Sequence, residues 1–139
     1  MARECRTFDL PADVGLEALA DTPGELMEAL AEGLADMICP RGQVRPRQVR
    51  RLSVRAEDRE ALAVDFLTRV MVTIQTERFL VSAVRVAASD GVSVTADLSG
   101  EPFDPERHAY HIEVKAVTYH LLKFAPEGGR WAGRVVLDL

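Results

Sequence analysis

The stretch Arg59–Leu98 reads REALAVDFLTRVMVTIQTERFLVSAVRVAASDGVSVTADL, and two periodicities meet inside it. In its first half Leu62, Phe66, Leu67, Val70, Met71 and Ile74 recur at helical spacing. They lie on one face of a helix running from about Arg59 to Thr76, with its methionine serving as core filler. In its second half, Phe79 to Ala87 and Val92 to Leu98 read as strands. Asp90-Gly91 between them is a strong hairpin-turn signal. One amphipathic helix feeding an antiparallel hairpin sets the α+β class.

The flanks repeat the theme. Upstream, residues 5–9 form a short strand and Pro11-Ala-Asp-Val-Gly15 a turn-rich loop. Thr22 can cap a second helix, Pro23 suits its first turn and Glu25 can complete a capping box. Leu26, Leu30 and Leu34, with Met27 and Met37–Ile38, give that helix its apolar face, and it should stop near Cys39, before Pro40. Val49, Leu52 and Val54 suggest a strand. Downstream, Glu101 to Arg107 is a polar loop with two prolines. Ile112 to Val117 is a strand that can run on to Phe124, Glu127-Gly128-Gly129 turns the chain, and Trp131 to Leu137 is the last strand. Two helices and at least five mostly hairpin-linked strands predict one two-layer α+β domain over 1–139, with the helices on a mainly antiparallel, mixed sheet. Strand order does not follow from the sequence.

Composition narrows the function. A chain of 139 residues buries roughly two-thirds of its unfolded surface and needs no disulfide or structural metal to fold. Cys5 and Cys39 are far apart and read as reduced thiols. The charged N-terminus has no apolar signal region, and no apolar run approaches bilayer length, so a cytoplasmic protein without a membrane role is expected. A formal net charge of −5 argues against sequence-independent nucleic-acid binding, which draws on many Lys and Arg contacts. Against that trend, Arg41, Arg45, Arg47, Arg50, Arg51 and Arg55 crowd one segment. The plain reading is an edge strand guarded by charge; the functional one is a docking patch for an acidic protein or RNA surface.

The chain has no Gly-x4-Gly-Lys-Ser/Thr loop, no Gly-x-Gly-x-x-Gly, no Gly-x-Ser-x-Gly and no Cys-x-x-Cys. His108, His111 and His120 lack the helical spacing of a zinc pair. Two places are odd for pure structure. Ala12-Asp13-Val14-Gly15 is one, a weak signal alone because Asp before Gly is common in turns. The other is Val135-Val136-Leu137-Asp138-Leu139, which is apolar to the last residue, so the end should be tied into the sheet. Asp138 and the terminal carboxylate then need a counter-charge: a hard divalent cation held by oxygens, or Lys115.

These segments also carry a resemblance. Ala12-Asp13-Val14-Gly15, Gly100-Glu101, Asp104-Pro105-Glu106-Arg107-His108, Glu113-Val114-Lys115-Ala116-Val117-Thr118-Tyr119-His120 and Trp131 to Leu139 follow the order of an archease along nearly the whole chain. The Lys-Ala-Val-Thr-Tyr-His string is the most specific part. Proteins that this one resembles are cofactors of the RtcB-type RNA ligase, which uses GTP to join a cyclic-phosphate or 3′-phosphate RNA end to a 5′-hydroxyl end. They speed guanylylation of the ligase and allow repeated turnover.

The resemblance implies that Asp13 and Asp138 ligate a divalent ion (calcium, magnesium or manganese), that Leu139 adds a main-chain or terminal oxygen, and that Lys115 assists guanylylation. The expected partner is the ligase, with tRNA or broken RNA met only through it. One departure stands out. The family's first motif usually reads Asp-His-Thr-Ala-Asp-Val-Gly, and here Leu10 and Pro11 replace the His-Thr pair. Losing such outer hydrogen bonds can weaken metal affinity about tenfold or more. The competing readings are a free-standing metal-dependent hydrolase using Asp13, Asp138 and a histidine such as His120, and a metal-free, chaperone-like interaction module. No motif places a general base, which disfavours the hydrolase.

Overall fold

Thr22 opens the first helix as its sequence suggests: its hydroxyl accepts the Glu25 N–H at 3.1 Å. The computed structural model describes residues 3–10 and 13–139. Along the chain run β1 (Glu4–Leu10), β2 (Asp13–Ala20), α1 (Pro23–Ile38), a 3-10 turn at Arg41–Gln43, β3 (Gln48–Arg55), α2 (Arg59–Gln75), β4 (Phe79–Ser89), β5 (Ser93–Pro102), β6 (Ala116–Glu127) and β7 (Arg130–Asp138). Asp58 caps α2 by accepting the Ala61 N–H at 2.8 Å. The α+β class with two helices holds. The strands, however, divide between two sheets, ordered β1-β2-β7-β6 and β3-β5-β4, and every pairing in them is antiparallel, so the expected single mixed sheet is corrected.

Helix α1 joins the two sheets. Its Leu26, Leu30 and Leu34 are fully buried, and a Cβ on Gly133 of β7 would stand 3.1 Å from Leu26 and Leu30. Its carboxylates turn the other way. Glu32 accepts the Val84 N–H at 2.9 Å and Glu28 the Val86 N–H at 2.8 Å. Since β4 is an edge strand, these bonds satisfy backbone donors that no neighbouring strand meets. Arg3 neutralises both carboxylates, bonding Glu28 at 2.6 Å and Glu32 at 2.5 Å. Helix α2 packs on α1 and on β6, and among the described residues no helix is long and apolar enough to cross a membrane.

The segment read as a loop at 11–15 contains the start of β2. Pro11 and Ala12 lie outside the described residues, but Asp13–Gly15 pair with Leu10, Asp9 and Phe8 of β1. Gly15 is there for space: a Cβ would fall 2.0 Å from the Phe8 ring. Glu101, also read as loop, lies in β5 and is buried. Its neighbour Gly100 lets β5 approach β4, where a Cβ would meet the Leu80 carbonyl oxygen at 1.8 Å. Conversely, 112–115 is not strand; β6 begins at Ala116 and runs past Phe124 to Glu127. Its register against β7 slips between Thr118 and Lys123, so Tyr119–Leu122 bulge from an edge strand, with Leu121 in the left-handed region at φ 55°. Arg134 holds the bulge by donating to the Leu121 carbonyl at 2.7 Å.

Candidate functional site at the ends of the chain

Strand β7 lies inside its sheet, between β2 and β6, which is why its apolar end does not fray. The register sets Asp13 directly opposite Asp138, and Ala116 opposite Asp138 on the other side. Direct cross-strand partners stand with Cβ atoms about 5 Å apart and project from one face. Val14, Leu16, Val135 and Leu137 fill the core from the other face, so the two aspartates project away from α1. Asp13 is half-buried and Asp138 exposed, so the expected burial of the pair is only partial. Neither carboxylate has an ion-pair or hydrogen-bonding side chain among the described residues. Like charges directly opposite are destabilising. The pair is therefore an acidic spot without a side-chain counter-charge among the described residues.

Its donors suit a hard cation but do not enclose one. Among the described residues no group of three or more His, Cys, Asp and Glu side chains could hold a metal. Two carboxylates, the main-chain oxygens and the end of Leu139, itself 37% exposed, are what the chain offers. A magnesium-like ion is commonly held by one or two carboxylates with water and substrate phosphate completing its shell. The residues fit a shared ion better than a closed protein cage.

Lys115 meets this site through its backbone: its N–H donates to the Asp138 carbonyl at 2.7 Å. The side chain is exposed and forms no ion pair with Asp13, Asp138 or Glu113, so the alternative pairing with Glu113 is not realised. The segment leading to it, 103–115, has no regular strand. It is pinned by His111 N–H to the Ile38 carbonyl at 2.7 Å, by Ala109 N–H to Gln43 Oε1 at 2.8 Å, and by Gln75. The Gln75 amide accepts the Val114 N–H at 2.7 Å and donates to the Val114 carbonyl at 2.8 Å.

A second charged cluster lies at the other end of that segment. Glu101, 2% exposed, faces Arg107, the His108 Nε2 at 3.0 Å and the Arg45 N–H at 2.7 Å. Asp104 N–H donates to His108 Nδ1 at 2.8 Å, so the ring proton sits on Nε2 and donates to Glu101. Burial alone would raise the Glu101 pKa; the Arg45 N–H, Arg107 and His108 outweigh it and hold the carboxyl at about 2.

Comparison with known proteins decides the family. The model of the Archease protein family matches residues 6–139.

The chain belongs to the archease family.

It is 35% identical to protein archease of Methanopyrus kandleri over 131 residues, covering 92% of this chain and 94% of that one. With the Thermococcus kodakarensis archease it shares 34% identity over 141 aligned positions, covering 99% of each. The solution structure of a Methanobacterium thermoautotrophicum protein superposes with a TM-score of 0.80 at 29% identity, covering 99% of each chain. A Thermotoga maritima crystal structure, described as an archease and possible chaperone, shares the fold at TM-score 0.63 and 21% identity, covering 96% of each chain.

In this archease the register brings Asp13 to Asp138, the Lys115 backbone bonds the Asp138 carbonyl, and Leu139 follows Asp138 in sequence. His108 belongs to the Glu101 cluster, whereas His120 lies in the β6 bulge and pairs with neither aspartate. The arginine segment follows its plain reading. Four of the six are ion-paired within the protein: Arg41 with Asp36 and Glu32, Arg47 with Glu101, Arg50 with Glu77 and Arg51 with Asp97. Sequence reasoning missed Gln75, whose position at the end of a helix carries no signal of its backbone partners. It quoted Glu101 and His108 without a role, since Glu101 stands six residues before Arg107 and only the fold brings them together.

Proposed function

We propose that this archease is a metal-binding activator of an RtcB-type RNA ligase, promoting its GTP-dependent guanylylation and repeated turnover in tRNA splicing and RNA repair. The observation that carries this reading is the uncompensated Asp13–Asp138 pair beside Lys115. A bound divalent ion (calcium, magnesium or manganese) would supply positive charge for phosphate oxygens. Asp13 and Asp138 bind and orient it, and Leu139 adds a main-chain or terminal oxygen. The Lys115 ammonium has donors and no acceptor, so it meets phosphate rather than metal. Nucleotidyl transfer depends on such positioning and charge neutralisation, and an open site on a rim can lend both to a partner.

The chain is then an activator and not a stand-alone enzyme. The net charge of −5 supports meeting RNA only through the ligase. Tyr119 and Leu121, 59% and 44% exposed on the β6 bulge, give the same edge apolar surface for a protein partner. That surface also favours a second reading, a metal-free interaction module of the kind that the words "possible chaperone" suggest for the Thermotoga relative. The deciding experiment is guanylylation of an RtcB-type ligase at fixed divalent ion, without this protein, with wild type, and with Asp138→Asn. The activator reading expects stimulation by wild type that the variant loses. Equal stimulation by the variant favours the module; none by either removes the ligase role.

A further inference from the structure

Val114 is 1% exposed, yet no neighbouring strand pairs with it. Its N–H and its carbonyl both bond to one side chain, the Gln75 amide at the last residue of α2, at 2.7 and 2.8 Å. One amide thus replaces a strand partner. The next residue is Lys115, whose N–H reaches the Asp138 carbonyl at 2.7 Å. Upstream, 103–113 has no helix or strand, so the Gln75 clamp on Val114 is the anchor immediately before Lys115. We propose that Gln75 is a positioning residue that fixes Lys115 against the Asp13–Asp138 end of the sheet. Its importance for ligase activation rests on the role proposed above for Lys115; its action on the Lys115 backbone does not.

The chemistry is specific to glutamine. The site needs an acceptor for Val114 N–H and a donor for Val114 C=O on one side chain. Glutamate keeps the acceptor, but when ionised it sets a carboxylate oxygen against a carbonyl. Protonation restores the donor. Gln75→Glu should therefore regain the wild-type arrangement as pH falls through the pKa of the introduced carboxyl, which the facing carbonyl raises. Gln75→Ala has no such recovery. A residue that merely stabilised the fold would loosen the protein as a whole.

The test is amide hydrogen exchange by NMR, with protection factors corrected for intrinsic pH dependence. It reads Val114 and Lys115 against Val117 and Leu137 as internal references. In Gln75→Ala, protection at Val114 and Lys115 should fall at least tenfold while the references hold. In Gln75→Glu, protection should be low at neutral pH and recover in acid. Wild-type protection at Lys115 in the alanine variant, or an equal loss at all four amides, would overturn the proposal, as would a glutamate variant without acid recovery. A second arm reads ligase guanylylation in a double-mutant cycle. Gln75→Ala should lower stimulation in the wild-type background and add nothing once Lys115 is alanine. An undiminished Gln75 effect without Lys115 counts against the proposal. If Lys115→Ala stimulates normally, the ligase role of Lys115 fails, and the exchange data alone decide the positioning role.

Discussion

Two acidic sites in this archease are built on opposite plans. Glu101 is buried and meets a guanidinium, an imidazole and a backbone N–H, and its pKa is held at about 2. Asp13 and Asp138 face one another near the surface, with no side-chain counter-charge among the described residues. The first site consumes its charge internally and orders the start of the 103–115 segment. The second leaves its charge available at the end of that segment. Removing one partner from the closed site would strand buried charge, whereas the open pair tolerates the loss of either carboxylate.

The largest effect should come from breaking the closed site. Glu101→Ala leaves Arg107, His108 and the Arg45 N–H without their acceptor and should cost about 3 kcal/mol in urea denaturation, by analogy with other broken buried pairs. The same site predicts acid sensitivity. Because the folded-state pKa of Glu101 is depressed, its contribution is fully present above the unfolded carboxyl pKa of about 4.3. It is lost as pH falls from there towards about 2. Glu101→Gln should flatten the stability profile across that window; a profile as steep as wild type would show that other carboxylates govern it.

The open site should behave in reverse. Asp138→Ala removes one of two facing like charges, so metal-free stability should hold or rise by a few tenths of a kcal/mol, while ion binding and ligase stimulation are lost. A large drop in melting temperature would place Asp138 with Glu101 among structural carboxylates. Smallest in stability is Lys115→Ala, expected within about 0.5 kcal/mol of wild type. It should leave ion affinity unchanged and lower stimulation. Lys115→Arg separates charge from shape, since arginine keeps the charge with a different donor geometry. Recovery by arginine means that charge suffices; no recovery means that a compact donor is needed.

The contrast between the sites also explains what the sequence disclosed. Both helices, the Asp90-Gly91 hairpin and the final strand are local: periodicity, caps and turn residues lie within one segment each. β2 was hidden because Asp13 and Gly15 are poor strand formers, and Gly15 is justified only by the Phe8 ring, seven residues away in sequence and opposite in space. Ile112–Lys115 looked like strand because its apolar alternation is real, but Val114 finds a side-chain partner instead of a ladder. The division into two sheets leaves β4 as an edge whose Val84 and Val86 N–H groups Glu32 and Glu28 accept, an arrangement that no one-dimensional pattern displays. At the candidate site, the apolar chain end announced an inner strand. The opposition of Asp13 to Asp138 needed the register.

The most direct test of the account is calorimetric titration of the metal-free protein with Mn²⁺ or Ca²⁺, using wild type, Asp13→Asn, Asp138→Asn and Glu101→Gln in parallel. The account predicts one site in wild type, loss of at least tenfold in affinity for either aspartate variant, and wild-type binding by Glu101→Gln at neutral pH. Absence of binding by the wild type, or aspartate variants that bind as it does, would contradict it.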